Sequence, residues 1–225
     1  MKKTFGILNL LLAAAVFVGN YFYLTEGGLT LKTLCSGGFA LMGLVNLCYV
    51  LLSGRKHLKF ALVMSVGLIL AMLGDIMIGK DFIIGAALFA GGHVCYFAGQ
   101  CCFMKLKGSD FIAGGILFIG AGAYLLFCPL LTFPQPMMQW VCLVYALIIS
   151  LMVGKGISNF LRRKTVVTVV LVVGCVLFFF SDLMLVFDWF MDGGKITGRL
   201  CMATYYPAEC LLAYSVYCLT SRKQP

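Results

Sequence analysis

Eight apolar runs of membrane-spanning length leave this chain one fold class. They lie at roughly Phe5–Leu24, Leu31–Leu52, Phe60–Gly79, Phe82–Met104, Phe111–Leu131, Pro136–Gly154, Thr165–Phe190 and Thr197–Leu219. Each is near the ~20 residues that cross a hydrocarbon core. No water there satisfies an exposed backbone, so such segments are helices. The links between them are short, and no polar stretch is long enough to fold by itself. The sequence therefore predicts an all-α membrane protein. It is a bundle of about eight transmembrane helices, a single domain over residues 1–225, integral and multi-pass in the membrane. Charged residues are 11% of the chain, against about 25% in a soluble domain.

The N-terminus resembles a signal peptide only at first sight. Lys2 and Lys3 precede the first run, but Ala13, Ala14 and Ala15 fall in its middle, not after it. An uncleaved first helix is expected.

A net charge of +9 raises the question of nucleic acid. The cations answer it by position, because they cluster between the apolar runs. Lys2, Lys3, Arg55, Lys56, Lys59, Lys105, Lys107, Lys155, Arg162, Arg163, Lys164, Arg222 and Lys223 fall on one side. Only Lys32, Lys80, Lys195 and Arg199 fall on the other. That bias is a topology signal, and it places both termini in the cytoplasm. No basic and aromatic groove is visible, so no nucleic-acid partner is expected. The 11 cysteines sit mostly inside apolar runs, with no C-x-x-C pair. They read as small hydrophobes rather than disulfides or zinc ligands.

The third and seventh runs resemble each other. Gly74-Asp75 is followed by Asp81-Phe82, and Ser181-Asp182 by Asp188-Trp189. Both segments follow a basic link and run outward. A four-plus-four internal repeat, with a pseudo-two-fold along the membrane normal, would relate Asp75 to Asp182. The small residues Gly67, Ala71 and Gly74, and Gly114, Gly115, Gly120 and Gly122, read as close helix contacts.

Buried ionisable groups need a reason, since a charge at mid-bilayer costs at least ~2.5–3.5 kcal/mol. The candidates are Asp75, His93, Asp182 and Glu209, with Tyr96, Tyr205 and Tyr206 close in sequence. All four fall at the midplane or in the outer half, which suggests a polar pocket entered from outside. Tyr205 and Glu209 share one helix face, as do Phe89, His93 and Tyr96. Taken singly, each carboxylate is accounted for equally well by a Lys or Tyr partner. Two in one partly dry site suit acid–base hydrolysis, as in glycosidases, where a charged and a neutral carboxyl flank an oxocarbenium-like transition state. Buried Asp and His also make proton relays, so a proton-coupled transporter of small molecules or lipids is the alternative. Other chemistries lack their residues. Two His do not make a membrane zinc hydrolase, and there is no G-x-S-x-G elbow. The stretch Met72-Leu73-Gly74-Asp75 lacks the first Gly of an intramembrane aspartyl protease. No metal or cofactor is expected.

Gly74-Asp75, the stretch from Gly85 through His93 to Tyr96, Ser181-Asp182 and Tyr205-Tyr206 occur in a characteristic order. With Lys32 in the second run, and Tyr145 followed by Met152 in the sixth, the chain resembles the YhhN-like family over nearly its whole length. Thr33 stands where that family often has Pro, and Glu209 where it often has an amide. The family contains membrane lysoplasmalogenases. The resemblance implies hydrolysis of a lysoplasmalogen vinyl ether to a fatty aldehyde and glycerophosphocholine or glycerophosphoethanolamine. The lysophospholipid and the bilayer are then the expected partners, in the cell membrane if the chain is bacterial. Asp75 and Asp182 become the catalytic pair, with His93 orienting a carboxylate or relaying a proton. Tyr205, Tyr206 and Glu209 become substrate contacts, and Lys32 or Arg199 meets the phosphate.

Overall fold

The computed structural model describes residues 1–191 and 194–221, the Lys195 side chain excepted. Asp192, Arg222 and Lys223 lie outside the described residues, as does that side chain. Among the described residues all regular structure is helical: α1 (Lys2–Glu26), α2 (Leu29–Leu52), α3 (Leu58–Ile78), α4 (Phe82–Phe103), α5 (Gly108–Phe127), α6 (Pro136–Arg162), α7 (Val166–Phe190) and α8 (Gly194–Thr220). Among the described residues, α1 to α7 are long and apolar enough to cross a membrane. α8 has the length, at 27 residues. Its apolar average falls short because Tyr205, Tyr206, Glu209 and Ser215 are buried polar residues along it.

Local chemistry sets the helix ends. Gly27 and Gly28 turn α1 into α2 with φ of 74° and 102°, a left-handed backbone that a side chain would strain. The Asp81 carboxylate accepts from Ile84 N at 3.0 Å and caps α4. Pro136 opens α6 at the position where its missing N–H costs nothing. The sequence carries the fifth segment to Leu131, but α5 stops at Phe127. Pro129 follows Cys128 there, and a residue before Pro is pushed out of helical geometry.

A larger difference lies in α6. The sixth segment was expected to end at Gly154, with Lys155 among the cations of a basic link. The helix instead runs on to Arg162, and Lys155 is fully buried. Its Nζ donates to Asp110 Oδ2 at 2.8 Å and to Lys105 O at 3.1 Å. Arg162 also reaches Asp110, at 2.9 Å. A paired and hydrogen-bonded charge can stay inside, and hydropathy alone does not see the pair.

Packing follows the four-helix step. α3 packs on α4 and α7 on α8; α1 packs on α2 and α5 on α6. α2 packs on α8, and its counterpart α6 packs on α4. Each half thus lends its fourth helix to the other. Asp75 on α3 and Asp182 on α7 occupy related positions in this scheme.

Candidate active site

Each of these two carboxylates sits where three helices meet. Asp75, on α3, takes partners from α2 and α8. Ser36 donates to its Oδ2, Tyr206 Oη donates to the same oxygen at 3.1 Å, and Lys32 Nζ lies 3.0 Å from Oδ1. Lys32 and Ser36 are one helical turn apart, so α2 presents both to one carboxylate. Tyr206 Oη lies 3.4 Å from Lys32 O, tying α8 to α2 at the same point.

Asp182, on α7, takes partners from α6 and α4, the helices four steps on. Tyr145 Oη donates to Asp182 Oδ2 at 2.6 Å. His93 Nε2 stands 2.7 Å from Tyr145 Oη and 3.2 Å from Asp182 Oδ2. His93 Nδ1 has no partner. Both bonds to Asp182 go to one oxygen, which leaves Oδ1 to the space in front of it. The two sites share a plan and differ in charge. Asp75 is held by an ammonium, and Asp182 by an imidazole and a phenol.

That space is a cavity of about 490 Å³ at the end of the bundle that holds the α1–α2 turn and the start of α4. By the charge bias this is the outer end. Asp75, Asp182, Lys32, Arg199 and Tyr205 all line it, together with Glu26, Asp188, Tyr23 and Trp189. Its rim carries both signs of charge and two aromatic rings. A second, narrow cleft begins at Asp182 and runs between α4, α5, α6 and α7. Ile78, Phe89, Asp182 and Leu185 line both spaces. Asp182 therefore stands where a polar chamber meets an apolar one, whereas Asp75 lines only the polar one.

An aromatic wall backs this junction. Phe178 packs edge-on against His93 with centroids 4.5 Å apart, and against Tyr205 at 5.3 Å. Phe89 packs edge-on against Tyr205 at 5.8 Å. Tyr205 Oη is occupied by Ala71 O at 3.2 Å. The wall fixes the His93 ring and keeps water from the core behind it.

Most of the residues expected from the sequence converge here. Lys32, Asp75, Asp182, Arg199 and Tyr205 line the cavity, Tyr206 bonds to Asp75, and His93 stands behind Asp182. Lys32 is committed to Asp75, so Arg199 is the more available cation for an anionic group. Glu209 does not join them. It is fully buried, accepts from Tyr96 Oη at 2.6 Å, and does not line the cavity. Two partners of the carboxylates were given no role by sequence reasoning, Ser36 and Tyr145. The signal for Ser36 was its four-residue spacing from Lys32. For Tyr145 no local spacing gave one, because its partner lies 37 residues away on another helix, and its place in the family resemblance was its one mark in the sequence. Among the described residues, no three His, Cys, Asp or Glu side chains converge as metal ligands.

A sequence model of the YhhN family matches residues 35–216 of this chain. Those residues include the whole of α3 to α7, and both carboxylates with every hydrogen-bond partner named above except Lys32. No curated protein and no solved structure matches.

Proposed function

The chain belongs to the YhhN family, and on that premise we propose that it hydrolyses the vinyl ether bond of lysoplasmalogens. One observation carries the reading: Asp182 stands at the boundary between a charged outer cavity and an apolar cleft. A lysoplasmalogen has the same division. Its vinyl ether lies between a phosphorylated glycerol and a hydrocarbon chain, so that bond falls at the boundary when each part takes its own chamber.

The chemistry needs one group that gives and takes a proton. Asp182, in its acid form, donates from Oδ1 to the β-carbon of the vinyl ether. This makes an oxocarbenium ion beside the new carboxylate, whose opposite charge stabilises it. The Phe89 ring, which lines both chambers, offers a π-face to the cation. Water adds to the cation and gives its proton to Asp182. The hemiacetal then loses the glycerol oxygen, which takes that proton as the hydroxyl hydrogen passes to the carboxylate. Atoms balance as vinyl ether plus water to aldehyde plus alcohol, and Asp182 ends as it began. Tyr145 and His93 hold Oδ2, so that Oδ1 faces the substrate. Asp75 keeps Lys32, Ser36 and Tyr206 in one arrangement at the polar end, and Arg199 meets the phosphate.

The transporter alternative has no comparable observation behind it.

The test is aldehyde release from a lysoplasmalogen by purified protein in detergent. Wild type should release aldehyde, and Asp182→Asn should lose about 10²–10⁴-fold, the share of a general acid. No aldehyde from folded wild type, or an Asp182→Asn variant as active as wild type, would overturn the reading.

A further inference from the structure

The two halves of the bundle differ most where the cleft lies. In the first half, α1 and α3 both pack on α8. Asn20 Nδ2 also donates to Met202 O at 3.3 Å across the α1–α8 contact. The four-helix step would bring α5 and α7 onto α4 in the same way. Their backbones do not come as close: α5 meets α7 through side chains, with the Tyr124 and Phe187 rings 5.7 Å apart, α7 meets α4 through rings such as Phe178 on His93, and the α4 backbone stands off from both. The cleft fills that gap.

Its lining is apolar except at Asp182 and the hydroxyls of Tyr124 and Tyr145. On α6 it extends from Val141 to Ile149, about 12 Å along the axis at 1.5 Å per residue. At about 80 Å³ it is a slot for one chain segment, not two. Ala121 on α5 and Leu183 and Val186 on α7 line it and are only half-buried. Ala121 and Leu183 lie six and seven residues inside their helix ends, so the open side faces lipid.

We infer that this cleft between α4, α5, α6 and α7 binds the single hydrocarbon chain of the substrate, which slides in sideways from the bilayer. The inference rests on the proposed reaction at Asp182 and adds which part of the lipid is read, and where. A one-chain slot selects lysolipids over two-chain lipids, whose second chain has no place beside the first. Each methylene removed from water favours binding until the slot is full, so chain length becomes a selected property. Ala121 is the gauge. It lines the slot from a helix that gives no hydrogen-bond partner to either carboxylate, and a large side chain there would occupy the chain's path.

Two measurements test this. The first uses a saturated 1-O-hexadecyl lysophosphocholine with a diazirine at the end of its chain, an ether the proposed chemistry does not cleave. After photolysis, label is expected within 121–125 and 179–186. Label confined to outward-facing residues such as Ile112, Ile116 and Val176 would overturn the chain site. The second compares hexadecenyl and butenyl vinyl ether lysolipids with Ala121→Trp. kcat/KM for the long chain should fall about tenfold or more, with the short chain within about threefold. Equal losses would overturn the inference. Cleft labelling without aldehyde release would remove the proposed reaction and keep the chain site. Aldehyde release without cleft labelling would do the reverse.

Discussion

The two carboxylates look alike in sequence, and their partners make them different. Asp75 is buried with Lys32 Nζ at 3.0 Å, and it also accepts from Ser36 and Tyr206. Removing one partner of such a buried pair costs about 3–5 kcal/mol, because the other charge stays behind. Lys32→Met should therefore lower the melting temperature in detergent sharply. Adding Asp75→Asn removes the stranded charge, so the double variant should recover most of that stability. A double variant as unstable as the single would show that Lys32 acts by packing and not by charge. Tyr145 is the opposite case, since it holds a group that must turn over protons. Its hydrogen bond to a carboxylate is worth about 1.5–3 kcal/mol, or roughly 10- to 100-fold in rate if felt at the barrier. Tyr145→Phe should lower kcat by that range and leave KM close to wild type. A change in KM alone would place Tyr145 in binding. The sequence showed that Asp75 and Asp182 need partners, and the family resemblance offered His93 for a carboxylate without saying which one. Ser36 went unread although it stands one turn from Lys32 on a single helix, a spacing that could have found it. His93, Tyr145 and Tyr206 reach the carboxylates across helix boundaries that no local spacing encodes.

At the scale of elements, apolar length and cation placement made the helices legible, and errors came where charge is paired or proline intervenes. Lys155 read as a loop residue because a buried Lys is rare. Asp110 and Arg162 make it possible, one from the start of α5 and one from the end of α6. That cluster staples α5 to α6, the helix its backbone packs on. Further along the same contact, two glycines meet. A Cβ added at Gly154 would collide with the Gly114 backbone and lie 2.9 Å from Asp110 O. Small residues here let two backbones touch, which in lipid replaces the hydrophobic drive for helix association. Gly154→Val should force α5 away from α6 at a cost of about 1–3 kcal/mol, the usual range for overpacking. Hydrogen exchange in detergent should rise along α5 and stay low along α3 and α4. Uniform exchange across all helices would mean that α5 is not separately held. The same variant should blunt long-chain turnover, since α5 forms one wall of the cleft.

At the scale of the molecule, the repeat legible in two Asp-containing segments is a plan of exchange between halves. α8 packs on α7 of its own half and also on α1, α2 and α3, while α4 packs on α3 of its own half and also on α6. The same exchange completes both sites. Tyr206, from the second half, bonds to Asp75 of the first. His93, from the first half, faces Asp182 of the second. A chain cut in the α4–α5 link, between Met104 and Gly108, gives two pieces that each keep a carboxylate and lose one of its partners. Each piece also exposes a helix face that carries buried polar groups: Glu209 in one, His93 and Gln100 in the other. Such groups facing lipid cost several kcal/mol each. Neither piece alone should give a monodisperse species with a cooperative melt, or release aldehyde. Expressed together, the pieces should co-purify and regain aldehyde release, because the hydrogen bonds that cross between them, such as Tyr206 to Asp75 and Tyr205 to Ala71 O, do not need an intact α4–α5 link. Size exclusion and the aldehyde assay read both outcomes. A single half that is monodisperse and melts cooperatively would show that the halves are independent units, and that the crossing contacts are incidental to the fold.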